Sequence, residues 1–218
     1  MSIAIITASW KRPEVFLSFL NNTNKYNHVG IYCAGSPRDD CGHFAPKLCH
    51  YERVPNIMGA KWNHAVRMAH KSDATHFLIL GSDDFISPNL WKYYQTLKGD
   101  HYALLDMYFS DGERTAYLPG YSGKHVGTPI GAGRLVSRNA MEAIHWKPFI
   151  NTLARGLDSC FHRKLNEAGI ECTKLWMKDT GGRLVDLKSP VSMNDFEKVT
   201  RKHPCVMMPD GWLDTNFV

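Results

Sequence analysis

The sequence predicts an α/β protein whose single, mainly parallel sheet is flanked by helices. Three observations lead there. Short apolar runs at residues 3–7, 28–33 and 76–80 have the length and content of strands, the last of them buried on both faces. Helix-patterned segments alternate with these runs, as in strand–helix–strand units. Each run also ends in a loop of small or charged residues, at 7–12, 34–36 and 81–84. In open α/β sheets ligands bind beyond the carboxyl ends of the strands, so these loops should converge on one crevice.

Residues 3–7 are the first strand. Pro13 then sits where a helix tolerates proline, at its first position, and Val15, Phe16, Phe19 and Leu20 recur at helical spacing over 13–23. Residues 28–33 are a second strand and 51–54 a weaker third. A helix opens at Gly59 and ends near Ser72, with Ala60, Val66, Met68 and Ala69 on its apolar side, just before the strand at 76–80. The second half is less regular. One strand is expected over 102–108, then a glycine-rich loop over 117–138 whose G-x-G lacks the strand–loop–helix setting of a dinucleotide fingerprint. Short helices at 139–144 and 158–168 follow, the second stopped by Gly169. Strands at 172–176 and 184–187 flank a turn at Gly181–Gly182, and the tail from 195 is polar.

A chain of 218 residues, 44% hydrophobic and 22% charged, suits one globular domain with a full core. That one domain, 1–218, is expected to have two halves, 1–100 and 101–218. No window approaches the roughly 18 apolar residues that cross a bilayer. The opening MSIAIITASWKRPE reads as a strand rather than a secretory signal, so cytoplasmic residence is the expectation. The net charge of +5 suits an anionic ligand such as a nucleotide, and equally a solvated basic surface. Six cysteines show no framework. Cys41, His43, Cys49 and His50 are zinc-ligand types, but their spacing matches no standard pattern.

Chemistry concentrates in FLILGSDDFISP, residues 77–88, where a greasy strand breaks into two adjacent carboxylates. Asp84 or Ser87 could cap a following helix; alternatively the aspartates could hold a divalent metal beside a phosphorylated ligand. Asp158, at the start of a helix, carries the same ambiguity between cap and general base.

The order of four segments resembles the family 2 type glycosyltransferases, which have the GT-A fold. IAIITASWKRPE is similar to the family's first strand and its R-P-E loop. GAKWNHAVRMAH is similar to its G-x-x-x-x-R-N-x-G segment, with Asn63 matching the asparagine. FLILGSDDFISP resembles the strand ending in the D-x-D metal motif, and GLDSCFHRKLNEAG the segment holding the catalytic base. The resemblance implies an inverting, metal-dependent hexosyl- or pentosyltransferase using a nucleotide-diphosphate sugar, a UDP-sugar above all, with manganese or magnesium. It places Thr7, Ala8, Ser9, Arg12, Ser36, Lys61, Asn63, Ser82 and Asp83 around the donor. Asp83 becomes a metal ligand, Asp84 a second candidate, and Asp186 or His203 a further one. Asp158 becomes the base, without the acidic neighbours usual in the family, since Leu157 and Cys160 stand in their places. Gly81 stands where the family usually has its first D-x-D carboxylate. Lys124, His125 and Arg134 are basic residues that could reach donor or acceptor.

The acceptor stays open among a hydroxymethylated base in DNA, as for phage-type DNA-base glycosyltransferases, and a glycan, lipid or protein hydroxyl. A nucleotidyltransferase on a related fold is a second enzyme reading, although TASWKRPE lacks the glycine-rich basic loop it would need. A non-catalytic nucleic-acid-binding α/β protein is a third reading, which the charge and interleaved aromatics allow.

Overall fold

The computed structural model describes residues 1–190, 192 and 195–213, apart from the side chain of Lys124. Its first half alternates as the sequence suggests: β1 (Ile3–Ala8), α1 (Pro13–Thr23), β2 (Gly30–Gly35), β3 (His50–Arg53), α2 (Met58–His70), β4 (His76–Ile79), β5 (Asp84–Ile86) and α3 (Pro88–Thr96). The second half runs β6 (His101–Leu104), β7 (Met107–Ser110), β8 (Thr115–Leu118), β9 (Arg134–Ser137), α4 (Arg138–Ala143), α5 (Leu157–Glu167), β10 (Thr173–Leu175), α6 (Met177–Thr180), β11 (Leu184–Leu187), α7 (Phe196–Lys202) and β12 (Val206–Met207).

Two sheets result. The central one has seven strands in the order β10-β6-β9-β4-β1-β2-β3. Strands β1 to β4 are mutually parallel, and β9 lies antiparallel between β4 and β6. All six residues of β1 are buried, and the strand's alternation sorts them between two faces. Ile3 and Ile5 join one core cluster with Phe16, Phe19 and Leu20 of α1, while Ala4 and Ile6 join the other with Ala65, Val66 and Ala69 of α2. That double burial is why the strand reads as an unbroken apolar run. Among the described residues no helix is long and apolar enough to cross a membrane.

Several elements differ from the sequence reading. The run expected as one strand at 102–108 is two: β6 belongs to the central sheet and β7 to a second sheet, ordered β12-β8-β7-β11-β5. Leu105 and Asp106 make the switch, and buried Asp106 anchors it by accepting hydrogen bonds from the Tyr117 hydroxyl and the Met177 amide. The glycine-rich stretch hides β9, whose four residues are all buried. Its signal fails because Arg134 and Ser137 break an apolar run only two residues long. The polar tail contains α7, capped by Asp195 and anchored by Phe196 and Val199. Helix α3 begins at Pro88 with Ser87 as its cap, the Ser87 hydroxyl accepting from the Leu90 amide. Asp84 therefore lies within a strand and caps no helix.

Helix α2 is docked by close backbone approach. The Gly59 amide donates to Leu153 O at 2.9 Å, and a Cβ on Gly59 would stand 2.0 Å from the Ile150 carbonyl oxygen. Because that obstacle is backbone, Gly59→Ala is expected to destabilise the fold by about 1–3 kcal/mol. Urea unfolding would show it as a lower midpoint with unchanged slope; an unchanged midpoint would contradict this packing.

Candidate active site

The antiparallel pairing of β5 with β11 sets Asp84 directly opposite Asp186. With Asp83 just before β5, three carboxylates converge so that one oxygen of each lies within 4.8 Å of the others. Asp84 is buried, and its carboxylate accepts from the Gly81 amide. Burial, then repulsion from Asp186 and Asp83, pushes its pKa well up. Burial and the Asp83 charge push Asp186 up to about 7. Two cations offset part of the repulsion: Lys188 pairs with Asp186, and the Arg12 guanidinium donates to Asp83 at 2.5 Å. Asp186 Oδ1 nevertheless stays buried without a hydrogen-bond partner. An all-oxygen donor set, excess negative charge and an orphaned oxygen together fit a hard divalent cation such as magnesium or manganese.

Gly81 has a physical reason here. A Cβ at that position would stand 2.8 Å from Asp83 Oδ1 and 3.0 Å from Asp84 Oδ2. The third carboxylate of the group, Asp186, arrives from β11.

The carboxylates line a cavity of about 270 Å³, which Asp158, Arg134, Tyr121 and His203 also line. Asp158 lies in the first turn of α5, whose cap is Gly156 in the left-handed region, so Asp158 does not act as the cap. Its surface opens to the cleft, while the protein packed behind it raises its pKa and the Arg134 charge opposes that rise. Arg134 is buried to 1% exposure, with Nη1 3.5 Å from the Asp158 carbonyl oxygen and its guanidinium over the Phe161 ring. Gly131 makes room for the Asp158 side chain: a Cβ there would stand 2.0 Å from Asp158 Oδ1.

The expected donor residues divide into two sets. Thr7, Ala8, Ser9 and Ser36 lie at the ends of β1 and β2, where the Ser9 amide donates to Ala34 O at 3.1 Å, and none of them lines the cavity that holds the carboxylates. Lys61 ties them together: its fully buried ammonium donates to Ser9 O at 2.7 Å and to Ser36 Oγ and Asn56 Oδ1 at 3.2 Å each. Beneath them Ser9 Oγ donates to buried Asp39 at 2.5 Å. Thr7 is fully buried, its hydroxyl without a partner. Asn63 does not face this loop; its amide clamps Phe149 and Asn151. Arg12 joins Asp83, Ser82 and Ser192. His203 shares the cavity and packs its ring 5.3 Å from that of Tyr121, outside the carboxylate trio. His125 lines a neighbouring cavity of about 250 Å³ with Tyr121, Asp158 and Lys202; the Lys124 side chain lies outside the described residues. Cys41, His43, Cys49 and His50 form no ligand group among the described residues. Cys41 is buried, and His50 stacks on Tyr32 at 4.6 Å. Asp39 and Lys188 were missed by sequence reasoning because each is one charge in a polar turn, with no local pattern to mark it.

The fold is that of the GT-A glycosyltransferases and of nucleotidyltransferases related to them. No protein-family model and no curated protein matches the sequence. Among solved structures, S. aureus TarS (residues 1–349) in complex with UDP-GlcNAc superposes with a TM-score of 0.65 at 12% identity, over 88% of this chain and 60% of that one. The inositol-1-phosphate CTP transferase of T. maritima gives 0.56 at 12% identity, over 93% and 96%. The catalytic domain of Drosophila β1,4-galactosyltransferase 7, complexed with xylobiose, gives 0.53 at 14%, over 79% and 64%. The chain thus spans about three fifths of the length of that TarS chain.

Carboxyl-detected NMR titration is expected to place the Asp158 pKa above the ordinary carboxylate value, because its charged form is the one burial disfavours. Arg134→Met removes the opposing cation and should move it higher still; a fall in that variant would mean the guanidinium does not act on Asp158.

Proposed function

We propose that the chain is an inverting, metal-assisted glycosyltransferase that moves a sugar from a nucleotide-diphosphate donor, a UDP-sugar, to an acceptor hydroxyl. One observation carries this reading: a single cavity is lined both by Asp83, Asp84 and Asp186 and by Asp158 with Arg134. Transfer needs those two functions on opposite sides of one sugar.

Asp83, Asp84 and Asp186 would hold magnesium or manganese. A cation held there would offset the charge that the departing diphosphate gains, and so stabilise the transition state more than the ground state. Asp158 accepts the proton of the acceptor hydroxyl while its oxygen bonds to the anomeric carbon. The bond from that carbon to the diphosphate oxygen breaks, and the nucleoside diphosphate leaves with the electron pair. Attack from the face opposite the leaving group inverts the anomeric centre. Arg134 favours the carboxylate form of Asp158 that this step requires. The loops carrying Thr7, Ala8, Ser9 and Ser36 form the nucleotide floor, braced by Lys61. The donor half at 1–100 is completed by Asp186 from beyond it, and 101–218 supplies the acceptor side.

The second cavity supports an anionic acceptor, since Lys202, His125 and His203 line it beside Asp158. DNA carrying hydroxymethylated bases offers both a hydroxyl and phosphates, and is the acceptor to test first, against glycan, lipid and protein hydroxyls. A nucleotidyltransferase is the second reading, favoured by the likeness to the T. maritima CTP transferase and weakened by the absence of glycine from TASWKRPE.

A screen of UDP-, GDP- and TDP-sugars with manganese or magnesium, with and without hydroxymethylated DNA, separates these readings. Release of nucleoside diphosphate marks glycosyl transfer, whereas pyrophosphate release from CTP marks nucleotidyl transfer. Asp158→Asn is expected to lower kcat by roughly 100-fold or more with the donor still bound. Asp83→Ala should lose the response to metal. Full activity in both variants, or no sugar-nucleotide binding under any condition, would overturn the proposal.

A further inference from the structure

A second group of metal-ligating side chains lies apart from the carboxylates. His101 opens β6, His162 is on α5, and Cys172 immediately precedes β10. One ligand atom of each lies within 4.8 Å of the others. The imidazole rings are 6.0 Å apart between centroids and tilted by 53°.

Burial makes the group costly as it stands. His101 is only 1% exposed, and both of its ring nitrogens are buried without a hydrogen-bond partner. His162 Nδ1 is buried without one too. A buried polar atom left unpaired costs on the order of 1–3 kcal/mol, so three in one place ask for an occupant. Neither carboxylate nor carbonyl lies among the hydrogen-bond partners of these atoms. Two imidazoles and a thiol are nitrogen and sulfur donors, which zinc takes and magnesium does not. Burial holds His101 in the neutral form that ligates, driving its pKa down to about 3. The Cys172 thiol is raised by burial, but Arg134 and Lys174 beside it favour the thiolate.

We propose that His101, His162 and Cys172 form a zinc site, with water in the fourth position. Tetrahedral bonds of about 2.0–2.3 Å set ligand atoms roughly 3.3–3.8 Å apart, inside the 4.8 Å within which these three lie. The ion would clamp three elements: β6, the lead-in to the edge strand β10, and α5. His162 is one helical turn beyond Asp158, so the clamp also steadies the helix that carries the candidate base. The chain would then sort two metals by donor chemistry, oxygen in the cleft and nitrogen with sulfur at the sheet edge.

Elemental analysis of the purified protein is expected to find zinc in a one-to-one ratio with the chain. Cobalt in its place should give a near-ultraviolet thiolate-to-cobalt charge-transfer band. Cys172→Ser should abolish that band and weaken zinc binding by more than about 100-fold, the upper end of what outer-sphere changes cost. Asp83→Ala should keep both zinc and band, which separates this site from the carboxylates. Chelation should lower the Tm of the native sequence and leave that of Cys172→Ser unmoved. Lack of zinc uptake by the native chain, a cobalt spectrum without the thiolate band, or a band that survives in Cys172→Ser would each overturn the proposal.

Discussion

The repulsion between Asp84 and Asp186 is the constraint around which the site is arranged. Directly opposed like charges destabilise a strand pair, yet β5 and β11 pair in the register that opposes them. The surroundings answer that cost in several ways. Lys188 returns from the end of β11 to Asp186, Arg12 crosses from the β1 loop to Asp83, and the Gly81 amide donates to Asp84. Each contact draws a different segment inward, so the electrostatic problem also brings together the loop after β1, the end of β4 and the second sheet.

A second tie is neutral in appearance and buried in fact. The Lys61 ammonium is surrounded by Ser9, Ser36, Asn56 and, more distantly, Asp39. Burial lowers its pKa and the Asp39 charge raises it. Its hydrogen bonds join the ends of β1 and β2. Polar groups so satisfied specify geometry, and Asn63 does the same for the segment at 149–151.

Much of the first half was legible because its physics is local. Buried parallel strands are apolar throughout, helices between them are periodic, and Pro13 marks a helix start. Asp83 and Asp158 were visible as carboxylates at element ends, and both line the same cavity. The second half was less legible because its strands are short and meet partners far away. Strand β9 is interrupted by a buried arginine whose role depends on α5, and β6 and β7 look continuous although they enter different sheets. The choice between Asp186 and His203 was open in the sequence; strand register brings Asp186 to the trio. Asn63 matched a motif, but its amide is consumed by backbone and by Asn151.

The absence of a side chain at Gly81 has a topological consequence. A carboxylate at that position would come from the same short segment as Asp83 and could gather with it early, in an incompletely folded chain. Asp186 is instead delivered from a strand about a hundred positions later in the chain, through β5–β11 pairing. The full constellation exists only once β5 and β11 have paired within the second sheet, so any ion that prefers three oxygens to two reads out that pairing. By mass action such an ion stabilises the paired state over the unfolded chain. Ion capture and the closure of the second sheet become thermodynamically linked, through a contact that no contiguous stretch of the chain contains.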